Sequence, residues 1–302
     1  MSKKMKLWLL IATSAIVVGC VVFTVVMSML GWDFSKLSTF QYETNTYVIS
    51  EEFQNIWIDT NTADVVFLPS KDGTTKVVCY EREKIHHNVT VEEDTLVILE
   101  VSTTNWTDNI GINFNQPKIT VYLPKEEYSK ISVKTTTGDV NCTVSASGEL
   151  KLYTTTGDIV VENLCAGALE LAVTTGKVTV VGVTCENDAR INVSTGDVRM
   201  VDVRCKNLAS DGRTGDTVLD NVVATGRFDI ERDTGDVRLD HCDAKELFIE
   251  TDTGDVTGSL LSEKVFIAET DTGRVNVPKT TTGGRCEIST DTGDIKITIV
   301  NE

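Results

Sequence analysis

A Thr-Gly pair recurs through more than half of the chain, with its glycine at Gly138, Gly157, Gly176, Gly196, Gly215, Gly235, Gly254, Gly273 and Gly293, so that successive copies stand 19 or 20 residues apart. A period of that length marks a stacked-repeat architecture, in which each unit buries its apolar face only against its neighbours. Four copies read Asp-Thr-Gly, beginning at Asp233, Asp252, Asp271 and Asp291, and that triad also surrounds the catalytic carboxylates of pepsin-like proteases. A protease dyad needs two carboxylates brought together to share one proton. Evenly spaced copies, several without the leading Asp, argue for a structural unit instead.

Alignment on the glycine shows where side chains point. Two residues after it stand Val140, Ile159, Val178, Val198, Thr217, Val237, Val256, Val275 and Ile295. Five residues before it stand Val133, Leu152, Leu171, Ile191, Ile230, Ile249 and Ile288, with Ser210 and Ala268 as lapses. The residues between are mostly polar. Alternation on both sides of a turn predicts two strands per repeat, each with one buried face. Glycine suits a turn with positive φ or close backbone approach. The Asp that usually follows it can accept hydrogen bonds from nearby backbone N–H groups, and the β-branched Thr before it suits a strand end. The expected fold is all-β: a single-stack parallel β-solenoid, right-handed and β-helix-like, of 19–20-residue coils behind one N-terminal transmembrane helix. At about 4.8 Å between strands the coils make a rod on the order of 43 Å long.

The N-terminal segment is of another kind. Residues 1–6 carry Lys3, Lys4 and Lys6, and residues 7–30 run without a charge, long enough to cross a hydrocarbon core of about 30 Å. Val17-Val18-Gly19-Cys20 loosely resembles a lipoprotein processing site. Apolar or small residues continue after Cys20, however, where a lipoprotein turns polar, so the expectation is an uncleaved anchor, with lipidation at Cys20 as the alternative. The lysine bias predicts a cytoplasmic N-terminus and an exported remainder, hence a single-pass protein of the cell membrane. The formal charge is −17. Without the three N-terminal lysines the exported part carries −20, which disfavours a nucleic-acid partner. Residues 31–46 read as a juxtamembrane linker, 47–134 as an irregular β beginning of the stack, and 135–300 as the regular repeats. Thr62-Ala63-Asp64-Val65 looks like a worn copy of the repeat turn, and the loop from Thr103 to Pro117 interrupts the irregular part.

Coils of the form TxTGDV behind a single span, preceded by a strand containing Tyr122-Leu123-Pro124, resemble the bacterial putative-adhesin family, a domain-of-unknown-function family, over roughly residues 48–300. The resemblance implies a β-solenoid at the cell envelope and names no ligand. Lys177 and Arg274 depart from the turn Asp, and the coil ASDGRTGDT looks irregular.

Few residues suggest chemistry. His86, His87 and His241 look too scattered for zinc, which takes three or four convergent ligands. No Ser-His-Asp or Cys-His arrangement is legible. Cys165, Cys185 and Cys205 lie 20 residues apart and are expected to stack on neighbouring coils as buried thiols, with a disulfide as the alternative. The turn carboxylates exceed what packing needs. Asp233, Asp236, Asp252 and Asp255 belong to two adjacent repeats with no basic interruption, and they are the candidate ligands for Ca²⁺, which takes six to eight oxygens. The last coil is followed only by Thr298-Ile299-Val300-Asn301-Glu302, which predicts an open strand edge and end-to-end self-association. Together these features indicate a non-enzymatic, adhesin-like surface scaffold or binding module, whose partner beyond the membrane is a cell-wall polymer or an envelope protein. An envelope-stress or signalling accessory protein is the alternative, and a polysaccharide-active β-helix enzyme a third reading.

Overall fold

The structure is a computed structural model and describes residues 2–104, 111, 113 and 115–300. Part of the loop placed between Thr103 and Pro117, and the terminal Asn301-Glu302, lie outside the described residues. The helix Lys3–Met29 opens the chain, capped by Ser2, whose Oγ accepts from the Met5 N–H at 3.3 Å. It is long and apolar enough to cross a membrane, and none of its most apolar stretch packs against the rest of the molecule.

The remainder is a parallel β-solenoid of about eight turns. Each turn has one strand before the Thr-Gly corner and one after it. One core ladder runs Ile131, Leu150, Leu169, Ala189, Leu208, Phe228, Leu247 and Cys286 through successive coils. On the other side of the corner Val140, Ile159, Val178, Val198, Thr217, Val237, Val256 and Ile295 stack in the same way. All of these side chains are buried, and each aliphatic one contributes about 1.5–3 kcal/mol by leaving water. No single coil could form this core alone.

Close approach at the corner is what demands glycine. A Cβ placed on Gly157 would lie 2.2 Å from the Gly138 carbonyl oxygen, and one on Gly196 would lie 1.9 Å from that of Gly176. Their φ values are 140° and 136°. A second device was not read from the sequence. Where a Thr stands three positions before the glycine, it can cap the carbonyl of a neighbouring glycine: Thr154 Oγ1 donates to Gly138 O at 3.0 Å and Thr290 Oγ1 to Gly254 O at 3.1 Å.

Both ends depart from simple stacking. Asn55–Thr60 and Asp64–Pro69 form a coil in register with the repeats, and Gly138 lies over the Ala63 carbonyl. Beyond it Thr95–Ser102 and Lys118–Leu123 add one more parallel rung, and antiparallel strands close the stack: Thr75–Arg82 on Lys118–Leu123, Tyr42–Ile49 on Thr75–Arg82, and Ile85–Glu92 on Thr95–Ser102. At the other end the order of coils departs from the order of sequence. Gly284–Thr292 and Ile295–Ile299, last in sequence, are inserted between the coil at 246–260 and the coil at 264–276. Gly293 accordingly stacks on Gly254, and Gly273 on Gly293. The expectation that the last coil in sequence leaves the open edge is therefore corrected. The edge belongs to Lys264–Thr272 and Val275–Asn276, which explains why Val275 is exposed although its repeat position is otherwise buried.

The cysteine ladder is also corrected. Cys185 pairs with Ala166, while Cys165 pairs with Thr184, a one-residue offset that turns Cys165 to the opposite face. Cys165 is exposed, and Cys185 and Cys205 are buried; all three are free thiols.

Candidate functional site

Three groups of residues exceed what the stack needs for packing. The first is the acidic corner. Each turn Asp accepts a hydrogen bond from the backbone N–H at the same position of the next coil: Asp139 Oδ1 from Asp158 at 2.8 Å, Asp216 Oδ1 from Asp236 at 2.9 Å, Asp236 Oδ1 from Asp255 at 2.8 Å and Asp255 Oδ1 from Asp294 at 2.7 Å. Asp64 does the same for Asp139 at 2.9 Å, so the worn turn is a working member of the ladder. These bonds supply the reason for Asp at the corner: an acceptor that reaches across coils rather than within its own turn. Where the ladder is interrupted, Lys177 Nζ lies 2.8 Å from Asp197 and Arg274 lies 2.6 Å from Asp294. The Asp294 carboxyl is held below its usual range by the Arg274 side chain. Because of the inserted coil, Asp255 neighbours Asp294 and not Arg274.

The candidate calcium ligands Asp233, Asp236, Asp252 and Asp255 are all exposed on this corner. The stack brings Asp236 and Asp255 to adjacent rungs, each with one carboxylate oxygen already bonded to backbone. Among the described residues, the one set of three or more potential metal-ligating atoms gathered within 4.8 Å of one another lies elsewhere.

The second group lies on the flat outer face before the corner. Trp57 and Tyr153 are 45% and 39% exposed there, a degree that core packing does not require of aromatic side chains. Trp57 is level with Ser132 and Lys151, and Tyr153 with Lys134 and Asp59. The two rings thus stand on a diagonal two strands apart, about 12 Å between backbones. A shallow depression of about 430 Å³ between them is lined by Ser132, Lys134, Lys151 and Glu170. Lys151 bridges Glu149 and Glu170 at 3.3 and 2.8 Å, which raises its pKa, with Glu170 the larger cause. Periodicity alone did not single out these aromatics, because they occupy ordinary outward positions.

The third group is buried in the antiparallel cap. Cys79 and Glu81 point inward from one strand, and His87 from the next, all no more than 2% exposed. His87 Nδ1 lies 2.6 Å from Glu81 Oε2, and His87 Nε2 lies 2.9 Å from Thr60 Oγ1. Thr60 Oγ1 donates to Glu100 Oε2 at 3.0 Å, and Asn45 Nδ2 to Glu81 Oε1 at 2.8 Å. Burial pushes the Glu100 carboxyl up, but hydrogen bonds from Asn61 and Thr60 outweigh it and hold it below its usual range. Burial, with Glu81 nearby, pushes the Cys79 thiol up to about 12. The sequence showed His87 only as one of three scattered histidines; folding converges it with a thiol and a carboxylate rather than with another histidine. The signal lay in the strand TKVVCYER, where alternation puts Glu81 on the same face as Val77 and Cys79.

The family model described as Toastrack DUF4097 matches residues 53–209 and 186–302. No curated protein matches the chain. Among solved structures, a "putative adhesin" from Bacteroides fragilis is 18% identical, with 85% of this chain and 97% of that one covered and a TM-score of 0.49. Two more, described in the same words, come from Parabacteroides distasonis (13% identity, 86% and 98% covered, TM-score 0.46) and Parabacteroides merdae (13%, 85% and 96%, 0.44).

Proposed function

Since the chain belongs to the Toastrack DUF4097 family, we propose that it is a non-enzymatic, membrane-anchored β-solenoid that binds a cell-wall polymer outside the cell. The observation that carries this reading is the pair of exposed rings, Trp57 and Tyr153, on a rigid flat face. Aromatic side chains offer broad apolar surface at small entropic cost, with polar atoms at the ring edge. Sugar rings present complementary apolar faces and hydroxyl rims. Lys134 and Lys151 line the space between the two rings and supply donors to hydroxyl or anionic groups in an otherwise acidic molecule. The solenoid holds these side chains at fixed spacing, so little ordering is needed on binding.

The full-length chain in detergent is expected to co-sediment with purified cell-wall glycan. Trp57→Ala combined with Tyr153→Ala should weaken that binding by about tenfold or more, as loss of a central aromatic contact does, with unchanged circular dichroism. Equal binding by the double variant would overturn the assignment of this face. A single dominant protein partner in membrane crosslinking, with no glycan retained, would support the envelope-accessory reading instead.

The anchored topology has its own consequence. With three lysines at the N-terminal end of the apolar helix and none of its most apolar stretch buried, protease added to intact cells is expected to remove the solenoid. Its protection until the membrane is permeabilised would reverse the orientation.

A further inference from the structure

The buried cap cluster has three close polar contacts in a row, and one hydroxyl proton with one N–H of a neutral imidazole can fill only two of them. Thr60 has one hydroxyl proton, and Glu100 Oε2, an acceptor, lies 3.0 Å from it. If that proton goes to Glu100, His87 Nε2 must be the donor in its 2.9 Å contact with Thr60 Oγ1. A neutral ring with its proton on Nε2 turns a bare lone pair at Nδ1 toward Glu81 Oε2, only 2.6 Å away. For all three contacts to be favourable at once, a positive charge has to sit between Nδ1 and Oε2. A proton can fill that role. So can a metal ion, and a third donor stands ready for one: the ligand atoms of Cys79, Glu81 and His87 all lie within 4.8 Å of one another.

We propose that Cys79, Glu81 and His87 bind one zinc ion in the cap, with water completing a tetrahedral set. The donor types favour zinc over calcium or magnesium, which take oxygen ligands. The outer contacts are those a zinc site uses. Histidine ligands commonly donate their second ring N–H to an acceptor that fixes the ring; here Thr60 and Glu100 serve. Asn45 orients the ligating carboxylate in the same way. Binding opens the Nδ1–Oε2 separation from 2.6 Å to about 3.3 Å, the spacing of two ligands around a tetrahedral ion with bonds of about 2.0–2.1 Å. The thiol proton and the proton between Nδ1 and Oε2 leave to solvent as the ion enters. The ion would tie the strands Thr75–Arg82 and Ile85–Glu92 to each other and, through Thr60, to the first coil. Its role is structural: it closes the end of the stack that adjoins the membrane helix.

The test uses the full-length chain with its two exposed cysteines replaced, Cys20→Ser and Cys165→Ser, so that the remaining thiols are buried ones. Titration with Co²⁺ alone should give a one-to-one complex with a near-ultraviolet thiolate-to-cobalt band, displaced by Zn²⁺. Zn²⁺ should also raise the melting temperature by several degrees, reversed by a chelator. Cys79→Ser should abolish the band and Cys142→Ser, at a buried thiol that is not a member of the cluster, should keep it. His87→Asn serves as the second variant if Cys79→Ser does not fold. No thiolate band in the parent chain, or a band that survives loss of Cys79 or His87, overturns the proposal. In the first case the proton alone bridges Nδ1 and Oε2.

Discussion

Gly196→Ala is expected to break the middle of the solenoid. The new methyl would lie 1.9 Å from the Gly176 carbonyl oxygen and 2.7 Å from its carbon, on a backbone with φ of 136°. Neither contact can be relieved by a side-chain rotation, because the partner is backbone held in the stack on both sides. Strain at a glycine-only conformation and overpacking together cost about 4 kcal/mol or more, a large share of the 5–15 kcal/mol that typically holds a domain folded. A fall in melting temperature of about 8 °C or more is the expected readout by circular dichroism. Gly73→Ala is the control. Its φ is 73°, but nothing lies within 4 Å of the added atom, so only the conformational cost of about 1 kcal/mol applies. Equal losses in the two variants would show that stacking contact is not what selects glycine at the corner.

Arg232→Met is expected to act in the opposite direction. Arg232 occupies the column that holds Thr251 and Thr290 in later coils, yet its guanidinium points into the core and is 1% exposed. Nε donates to Thr217 Oγ1 at 2.7 Å and Nη2 to Ser210 Oγ at 3.1 Å, while Nη1 has no partner. Burial lowers its pKa, and Asp211 and Asp197 only partly offset that. A buried cation without a paired carboxylate is expensive, and replacement by an apolar residue of similar volume is worth about 1–4 kcal/mol in comparable sites. The melting temperature should rise by a few degrees. Arg232→Ala, which removes the charge but leaves a void, should lower it. If Met and Ala both lower it to the same extent, the charge is stabilising where it sits.

The same residue shows how far the sequence could be read. Ser210 looks like a lapse in a column of Leu and Ile, Thr217 like a lapse in a column of Val, and ASDGRTGDT like an irregular coil. In the structure these are one feature. Ser210 and Thr217 turn hydroxyls to the guanidinium, and Gly212 leaves room for it, since a Cβ there would meet Nη1 at 1.6 Å. The coil is as regular as its neighbours, Leu208–Gly212 and Thr214 pairing in register with both. Alignment of repeats assigns each residue to a column, but it does not show that lapses in three columns meet at one side chain.

The sequence by itself determined the solenoid, its period, the buried columns and the glycine corner, because each depends on contacts between equivalent residues one repeat apart. The constant 19–20-residue spacing carries that information. Tertiary structure alone decided the order of the last two coils, since strands of the same repeat pattern can pair with either neighbour. It decided the face of Cys165, because one residue of offset reverses a β side chain. It also decided the convergence of Cys79, Glu81 and His87 with Thr60 and Glu100. These residues come from strands that pair in antiparallel and non-sequential order, where no period in the sequence records which side chains will meet.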